Sequence, residues 1–361
     1  MTDQLSSLQA GGLLHPARTL RLMQQAIEEN QLDLQGLTIL TEMGSGAYVT
    51  TPLLAALAGA DQVYALTQDS VYGAAADIAT VGAEFARFCG IPNRIMVEES
   101  KRAEVLGQAD VVTNLGFVRP LDRMTVSKMK AGAVIALMCE AWETRPEDVD
   151  LGACEARDIA VIATNEDYPG LEVFDFSGPL ALKLLFEAEI EVYQSRIGVV
   201  STDKFGRVIA SCLGKVGADV QRFDRLAGAQ AEEFLEKADA IILADYCSPD
   251  LFIGQGGQME VERLRAIAPG IVVVPFAGRV DTKALEQAGI WCLDHAGEES
   301  ARMARTFSHL GVKPVIDLHC AGLKVAEIAV RQRAENATDA TLNTALGSRG
   351  HTVSRSENVR T

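Results

Sequence analysis

Residues 38–70, TILTEMGSGAYVTTPLLAALAGADQVYALTQDS, predict the start of a parallel α/β sheet. A strand-like run at 37–40 leads into a glycine turn, a helix follows from about residue 50 to 58, and a second strand is predicted at 62–66. The order strand, glycine turn, helix, strand is typical of a βαβ unit. The turn and the end of the second strand therefore lie where such sheets bind ligands.

The same alternation extends along the chain in both directions. Residues 1–35 predict one or two amphipathic helices, and a long helix is predicted at 171–193. Further strands are predicted at 94–97, 110–113, 133–137, 159–163, 197–200, 218–223, 240–244, 271–275, 289–293 and 315–318. A helix at about 322–333 follows. The fold class expected is α/β, with two Rossmann-like, doubly wound parallel-sheet domains and a cleft between them.

The domain boundaries follow from these elements. Residues 1–190 are predicted to form an α/β substrate domain, completed by a return segment at 320–335. Residues 191–319 are predicted to form a Rossmann-like nucleotide-binding domain. Residues 336–361 are polar and contain few large apolar groups, so a disordered tail is expected there.

Composition excludes several classes of protein. The chain has 361 residues and a net charge of −16, which argues against a nucleic-acid binder or a protein of anionic membrane surfaces. It has no apolar run of about 18 residues, so no membrane-spanning helix is predicted. The N-terminus lacks the pattern of a secretory signal, and a cytoplasmic protein is expected. The seven cysteines are scattered without zinc-ligand spacing, so reduced thiols and no metal are predicted.

The glycine turn has two interpretations. Gly44, Ser45 and Gly46 let backbone N–H groups approach a ligand, and Asp69 after the second strand is placed to accept ribose hydroxyls. An acid followed by G-x-G, here from Glu42 onward, also resembles the first motif of class I S-adenosylmethionine methyltransferases. The alternative is that the two glycines only turn the chain.

Several later segments occur in one consistent order over about 210 residues. They include ADVVTNLGFVRPLDRMTVSKMKAGAVIALM at 109–138, EDVDLGACEARDIAVIATNE at 147–166 and IGVVSTDKFGRVIASCLGKVGADVQRFD at 197–224. This order resembles the D-isomer-specific 2-hydroxyacid dehydrogenase superfamily. S-adenosylhomocysteine hydrolases share the two-domain layout and are a related possibility.

The resemblance implies catalytic residues. His319, in the segment LHCAG at 318–322, would be the general acid/base. Glu298 or Glu299 would orient it, and Arg279 would clamp the substrate carboxylate, although it is displaced by about two residues from the family's position. The alternatives are a histidine at a strand end that only packs at the domain hinge and glutamates that only begin a solvated helix.

The resemblance also implies a cofactor turn, and here the sequence departs from the family. The turn comprises Ser201, Thr202, Asp203, Lys204, Phe205 and Gly206. Of the three glycines in G-x-G-x-x-G only the last remains, and a carboxylate at Asp203 would repel a pyrophosphate. Asp224, at the end of the next strand, still fits a ribose acceptor and favours NAD over NADP.

The loop expected to bind substrate departs as well. It offers Glu140, Trp142 and Glu143 in place of a glycine-rich stretch, which favours a cationic or amphiphilic substrate. The alternative is an exposed pair formed by Glu143 and Arg145. Asn114, after another predicted strand, is a further candidate for the substrate site.

Three functions remain open from the sequence. The first is a diverged NAD-dependent oxidoreductase that acts on a small polar substrate. The second is an S-adenosylmethionine-binding enzyme, a methyltransferase or a protein similar to homocysteine hydrolases. The third is a non-catalytic nucleotide sensor. A homodimer is expected, with no nucleic-acid or membrane partner.

Overall fold

The computed structural model describes Leu8 and residues 12–294, 303–334 and 338–353. The strands, in chain order, are β1 Thr38–Glu42, β2 Gln62–Leu66, β3 Ile95–Glu98, β4 Val111–Thr113, β5 Val134–Leu137, β6 Ala160–Thr164, β7 Arg196–Val200, β8 Asp219–Phe223, β9 Ala240–Ala244, β10 Leu251–Ile253, β11 Val272–Ala277, β12 Arg279–Val280 and β13 Gly350–Thr352.

The helices, in chain order, are α1 Pro16–Asn30, α2 Thr50–Leu57, α3 Ala75–Phe88, α4 Ala103–Leu106, α5 Arg123–Lys128, α6 Leu151–Ala156, α7 Ser177–Glu187, α8 Lys204–Lys215, α9 Ala229–Leu235, α10 Val261–Ile267, α11 Thr282–Gln287, α12 Val312–Ala334 and α13 Asp339–Leu346. Short 3-10 helices span Gly46–Val49, Ala141–Glu143, Val173–Phe176 and Phe307–Leu310.

These elements form two compact units. Unit 1 takes the described residues up to Val173 and from Gly311 onward, and unit 2 takes Phe174–Leu310. Unit 1 therefore ends earlier than the predicted boundary at 190. The reason is that α7 packs closely on α8, which belongs to unit 2. Gly178 of α7 lies so near Cys212 of α8 that a Cβ atom built on the glycine would be 2.4 Å from Cβ of the cysteine.

Unit 1 contains a seven-stranded sheet in the order β13-β6-β5-β4-β1-β2-β3. All neighbours are parallel except β13, which pairs antiparallel with β6. Without β13 the order is the doubly wound 3-2-1-4-5-6, whose direction reverses between β1 and β4. The α/β fold class predicted from the sequence is confirmed.

Both faces of this sheet are buried, which explains why its strands read as apolar runs. On one face Ile39 and Val63 pack with apolar side chains of α1, α2, α3 and α12. On the other face Leu40 and Val112 pack with side chains of α4, α5 and α6. The two layers leave only the strand ends and the connecting loops for ligands.

The C-terminal part of unit 1 overturns two predictions. The predicted strand at 315–318 lies inside α12, because Ile316, His319, Cys320 and Leu323 are buried at helical spacing. The predicted disordered tail is wrong for residues 338–353, which form α13 and β13. A few apolar groups suffice there, since Leu342 and Leu346 are buried in the main core.

Unit 2 contains a four-stranded parallel sheet in the order β11-β9-β7-β8, and a separate pair, β10 with β12. The direction of the main sheet reverses between β7 and β9. The predicted strand at 289–293 is reduced to one bridge, in which Cys292 pairs with Val273. The predicted helix at 171–193 is shorter, because only 177–187 are α-helical after a 3-10 turn.

Two further findings concern the described ranges as a whole. No described helix combines the length and the apolar character needed to cross a membrane.

Burial raises the pKa of Cys89, Cys154, Cys292 and Cys320 to about 12, which makes these thiols poor nucleophiles.

Candidate functional sites

The β7–α8 turn in unit 2 is the predicted cofactor turn. The carboxylate of Asp203 accepts hydrogen bonds from groups of the turn itself. Asp203 is the N-cap of α8, and its Oδ1 accepts the N–H of Phe205 at 2.9 Å and the hydroxyl of Ser201 at 2.8 Å. The N–H of Gly206 donates to Oγ of Ser201 at 3.2 Å. The helix N–H groups that would hold a phosphate therefore already have partners within the chain.

A second carboxylate joins this turn to the loop after β9. Oδ2 of Asp203 accepts the N–H of Tyr246 at 2.8 Å, and Oδ2 of Asp245 accepts the N–H of Thr202 at 2.9 Å. The Thr202 hydroxyl also donates to Asp245, which is 1% exposed. Burial is the main cause that raises the pKa of Asp203, and the nearby Asp245 adds to it. Two loops at the direction reversal of this sheet are thus tied to each other by paired aspartates.

The helix that follows is anchored by aromatic packing. The ring of Phe205 packs near those of Phe174, Tyr246 and Phe276, with centroids 5.4 to 5.9 Å apart. Nζ of Lys204 lies 3.4 Å from the centroid of Phe174, a cation–π contact. The lysine that follows Asp203 therefore contacts an aromatic ring.

Beside the turn lies a pocket of about 200 Å³. It is lined by Thr202, Asp224, Arg225, Asp245, Cys247, Ser248, Asp250 and Gln258. All of them except Gln258, which follows β10, lie after β7, β8 and β9, so the pocket opens at the carboxyl ends of these strands, where open α/β sheets bind ligands. Its three carboxylates face one guanidinium, Arg225, which lies 3.7 Å from Asp250. The pocket thus favours hydroxyl or cationic ligand groups over anionic ones.

Arg279, predicted to clamp a carboxylate, begins β12 in unit 2. Its Nη1 donates to the carbonyl oxygen of Pro249 at 3.1 Å. Glu298 and Glu299, predicted to orient the catalytic histidine, lie outside the described residues. The predicted pairing of a glutamate with His319 therefore remains a prediction.

In unit 1 the glycine turn and His319 come close together. Gly46 has a left-handed φ of +58°, and the turn passes directly into the 3-10 helix before α2. His319, on α12, bonds through Nδ1 with the hydroxyl of Thr51 at 2.6 Å, and its ring centroid lies 6.0 Å from that of Tyr48. The sequence predicted both features but did not indicate that they share a neighbourhood.

Burial dominates the electrostatics of His319. The side chain is 3% exposed, and burial lowers its pKa to about 3. Its side-chain hydrogen-bond partner in the described part of the chain is the neutral hydroxyl of Thr51. The imidazole is consequently neutral at physiological pH, which does not suit a general acid.

Glu42, the last residue of β1, is the feature of this edge that sequence analysis left out of the site. It is 8% exposed, and Oε2 accepts the N–H of Phe117 at 2.7 Å. Burial raises the pKa of its carboxyl above the usual value of 4.5, although the N–H of Phe117 and the charge of Arg119 oppose the shift. The available signal was its position, an acid at a strand end directly before a glycine turn.

The other predicted substrate residues take part in the local structure of unit 1. Asn114 accepts the N–H of Met138 at 2.8 Å, which joins the ends of β4 and β5. Glu140 and Glu143 form a capping box around the 3-10 helix Ala141–Glu143, and Trp142 lies within that helix. Oε1 of Glu140 also accepts the N–H of Glu166 at 2.9 Å.

Asp69, predicted to accept ribose hydroxyls, also holds the start of a helix. Its Oδ1 accepts the N–H of Ala75, the first residue of α3, at 2.8 Å. The role of Asp69 and of the glycine turn towards a ligand stays a prediction.

The chain is similar to known proteins in its structure but not detectably in its sequence. No family model matches the chain, and no curated protein matches its sequence. Solved structures do match. Dipicolinate synthase A chain from Bacillus subtilis has a TM-score of 0.50 and 14% identity, over 84% of this chain and 98% of that one.

Two more solved structures match with a TM-score of 0.51 over 84% of this chain and 98% of theirs. One is the apo-structure of D-lactate dehydrogenase from Escherichia coli, at 13% identity. The other belongs to work identifying the pyruvate reductase of Chlamydomonas reinhardtii, at 12% identity. The chain has the α/β fold of these structures, which confirms the resemblance to 2-hydroxyacid dehydrogenases at the level of the fold.

Proposed function

We propose that the chain is an NAD-dependent oxidoreductase that acts on a small polar substrate. The observation that carries this proposal is the pocket of unit 2, at the carboxyl ends of β7, β8 and β9. There Asp224 follows the second strand of the sheet, the position from which an acid accepts ribose hydroxyls in Rossmann folds. Bound NAD would supply the hydride acceptor.

The solved structures with this fold support the proposal by analogy. They include a D-lactate dehydrogenase and a structure from work identifying a pyruvate reductase. A fold alone does not determine function, so the pocket and its acid have to support the proposal. Unit 1, with Glu42, the glycine turn and His319 at one edge, would provide the substrate site.

The two halves of NAD do not fit equally well. The adenosine half matches the pocket, because Asp224, Ser248 and Gln258 offer polar partners for ribose and base. The pyrophosphate lacks its usual N–H donors, since Asp203 and Ser201 already accept from Phe205 and Gly206. A phosphate about 4 Å from the Asp203 carboxylate would cost ~4 kcal/mol at an effective dielectric of about 20.

That misfit favours a second candidate. A nucleoside without pyrophosphate, such as S-adenosylmethionine, would use the same pocket and would leave the Asp203 turn undisturbed. The three pocket carboxylates also suit its positive charge better than they suit a dinucleotide. The chain would then be an S-adenosylmethionine-binding enzyme.

Isothermal titration of the full chain with NAD, NADP, S-adenosylmethionine and S-adenosylhomocysteine separates the two candidates. The oxidoreductase candidate predicts that NAD binds and that Asp224→Asn lowers the affinity for NAD at least tenfold. Asp219→Asn is the matched control, because Asp219 begins the same strand and does not line the pocket. Binding of the sulfur nucleosides without NAD would establish the second candidate, and binding of none would refute both.

A further inference from the structure

β3 is an edge strand of the unit 1 sheet. It pairs with β2 on one side, and no described strand pairs with its other side. The N–H of Val63 donates to the carbonyl oxygen of Arg94 at 3.0 Å, so the backbone groups of every second residue from Arg94 onward face β2. The N–H and C=O groups of Ile95 and Val97 therefore point away from the sheet, where another strand can pair with them.

This edge carries little of what commonly protects an open strand. Protected edges have lysine or proline, or a bulge that twists them away. β3 contains neither residue, and its register with β2 is regular. Its one carboxylate, Glu98, is 11% exposed and is bonded to Arg102 at 2.6 Å. Met96 and Val97, by contrast, are 48% and 40% exposed. A strand with these properties favours pairing with another chain.

We propose that β3 is a dimerisation edge, and that it pairs antiparallel with β3 of a second copy of this chain about a two-fold axis at Met96. Ile95 then lies opposite the partner's Val97 and exchanges two backbone hydrogen bonds with it. The two-fold axis repeats this pair, which gives four hydrogen bonds in all. The outward-facing backbone groups of both strands are thereby satisfied, and the two sheets become one.

The side chains on one face match in this register. Alternate residues of a strand share a face, so Arg94, Met96 and Glu98 lie together. At each end of the pair Arg94 lies opposite the partner's Glu98, and Met96 meets the partner's Met96 at the axis. Nη1 of Arg94 donates to the carbonyl oxygen of Ala60, and the other guanidinium N–H groups can reach a carboxylate. Opposite charges directly across two strands stabilise their pairing.

The other face and the alternative registers favour the same pairing. Ile95 and Val97 share the second face, where each lies opposite the other residue of the partner, so apolar groups meet apolar groups. Centring the pair on Val97 would set Met96 opposite the partner's Glu98. Centring it on Ile95 would set Met96 opposite the partner's Arg94. Both shifts would bury a charged group against an apolar one, which is unfavourable.

Sedimentation velocity of the full chain over a dilution series tests the dimer. At the higher concentrations the unaltered chain should sediment with twice the mass of one 38.7 kDa chain. Val97→Lys places a charge on the pairing edge and should weaken dimerisation by about tenfold or more. Met124→Lys is the matched control, because Met124 is 65% exposed and lies on α5. This variant should dimerise as the unaltered chain does.

A cysteine at the two-fold axis tests the register. The Cα atoms of a non-hydrogen-bonded antiparallel pair lie about 4.5 Å apart, within the range of a disulfide. Oxidation of Met96→Cys with copper–phenanthroline should therefore give a cross-linked dimer on a non-reducing gel. Glu99→Cys is the control, because its two copies would lie about 20 Å apart in this register. It should cross-link no more than the unaltered chain, whose seven cysteines set the background.

A thermal melt checks that each variant is folded. The proposal is overturned if the unaltered chain stays monomeric throughout the dilution series, or if folded Val97→Lys dimerises as Met124→Lys does. It is also overturned if Met96→Cys gives no more cross-linked dimer than Glu99→Cys. All measurements are made without nucleotide, so their outcome does not depend on the function proposed for unit 2.

Discussion

The hydroxyl of Thr51 and Nδ1 of His319 lie 2.6 Å apart, although 268 positions separate them in the chain. The bond joins the start of α2 to α12 within unit 1. Both partners are buried, so the contact fixes a late helix against the first βα element of the sheet. The bond holds His319 within unit 1, and the burial of its imidazole affects how the unit responds to acid.

The first prediction concerns that response. In the folded chain the pKa of His319 is about 3, against a usual value of 6.5. Between these values the unfolded chain binds a proton that the folded chain excludes, so the free energy of unfolding decreases as pH falls through this window. The loss is about 1.4 kcal/mol per pH unit. Urea unfolding at pH 7 and pH 5 measures how much the free energy of unfolding decreases between these pH values. We expect this decrease to be about 2 kcal/mol smaller in His319→Gln than in the unaltered chain.

His15→Gln provides the control for that measurement, because His15 is exposed. Its stability should follow pH as the unaltered chain does. Equal pH dependence of His319→Gln and the unaltered chain would show that the imidazole is protonated in the fold, and would return His319 to consideration as a general acid.

The second prediction concerns cofactor choice. Asp224, Asp245 and Asp250 surround the pocket, and a 2′-phosphate would meet their charges. NAD should therefore bind more tightly than NADP, and Asp224→Ala should narrow the difference by about tenfold. Titration calorimetry measures both constants. Tighter binding of NADP to the unaltered chain would contradict the prediction.

The third prediction concerns the filled turn. Asp203→Ser keeps a residue that caps α8 but removes the charge and the bond to Tyr246. The free energy of unfolding should fall by about 1.5 to 3 kcal/mol, the range for a hydrogen bond to a charged group. If a pyrophosphate reaches the turn, affinity for NAD should rise about tenfold. S-adenosylhomocysteine is the control ligand, and its affinity should not change; an unchanged NAD affinity would place the pyrophosphate elsewhere.

The fourth prediction concerns the C-terminal segment. Ending the chain after Ala334 removes Leu342 and Leu346, which are 0% and 2% exposed, and uncovers the edge of β6. Denaturant unfolding should show a loss of about 3 kcal/mol or more. Gly350→Ala should also destabilise, because a Cβ atom there would lie 2.2 Å from the carbonyl oxygen of Ala163. Ser348→Ala, at an exposed position, should have no effect, and a stable shortened chain would refute the role of this segment.

The sequence predicts most of the strands because their burial on both faces produces apolar runs that local pattern detects. It fails at 315–318, where three apolar residues and Asp317 fit a strand or one turn of helix equally well. It also fails at 338–353, since tertiary contacts of Leu342 and Leu346 stabilise a segment whose composition is otherwise typical of disorder.

The candidate sites were less predictable than the fold. The sequence places Asp203 in the cofactor turn, but its bond to Tyr246 depends on a loop 43 residues away. Glu42 is visible as an acid before glycines, whereas its burial depends on Gly116 in the next loop of the sheet edge. In both places the chemistry comes from two loops that only the sheet order brings together.

The discontinuity of unit 1 has a consequence for synthesis on the ribosome. Unit 2 is complete once Leu310 has emerged, but unit 1 still lacks α12 and β13 at that moment. We therefore expect the later segment of sequence to finish folding first, and the β6 edge of unit 1 to stay open until β13 appears. Ribosome-bound chains halted at this length should resist protease in unit 2 and be cut in unit 1; equal resistance of both units would argue against this order.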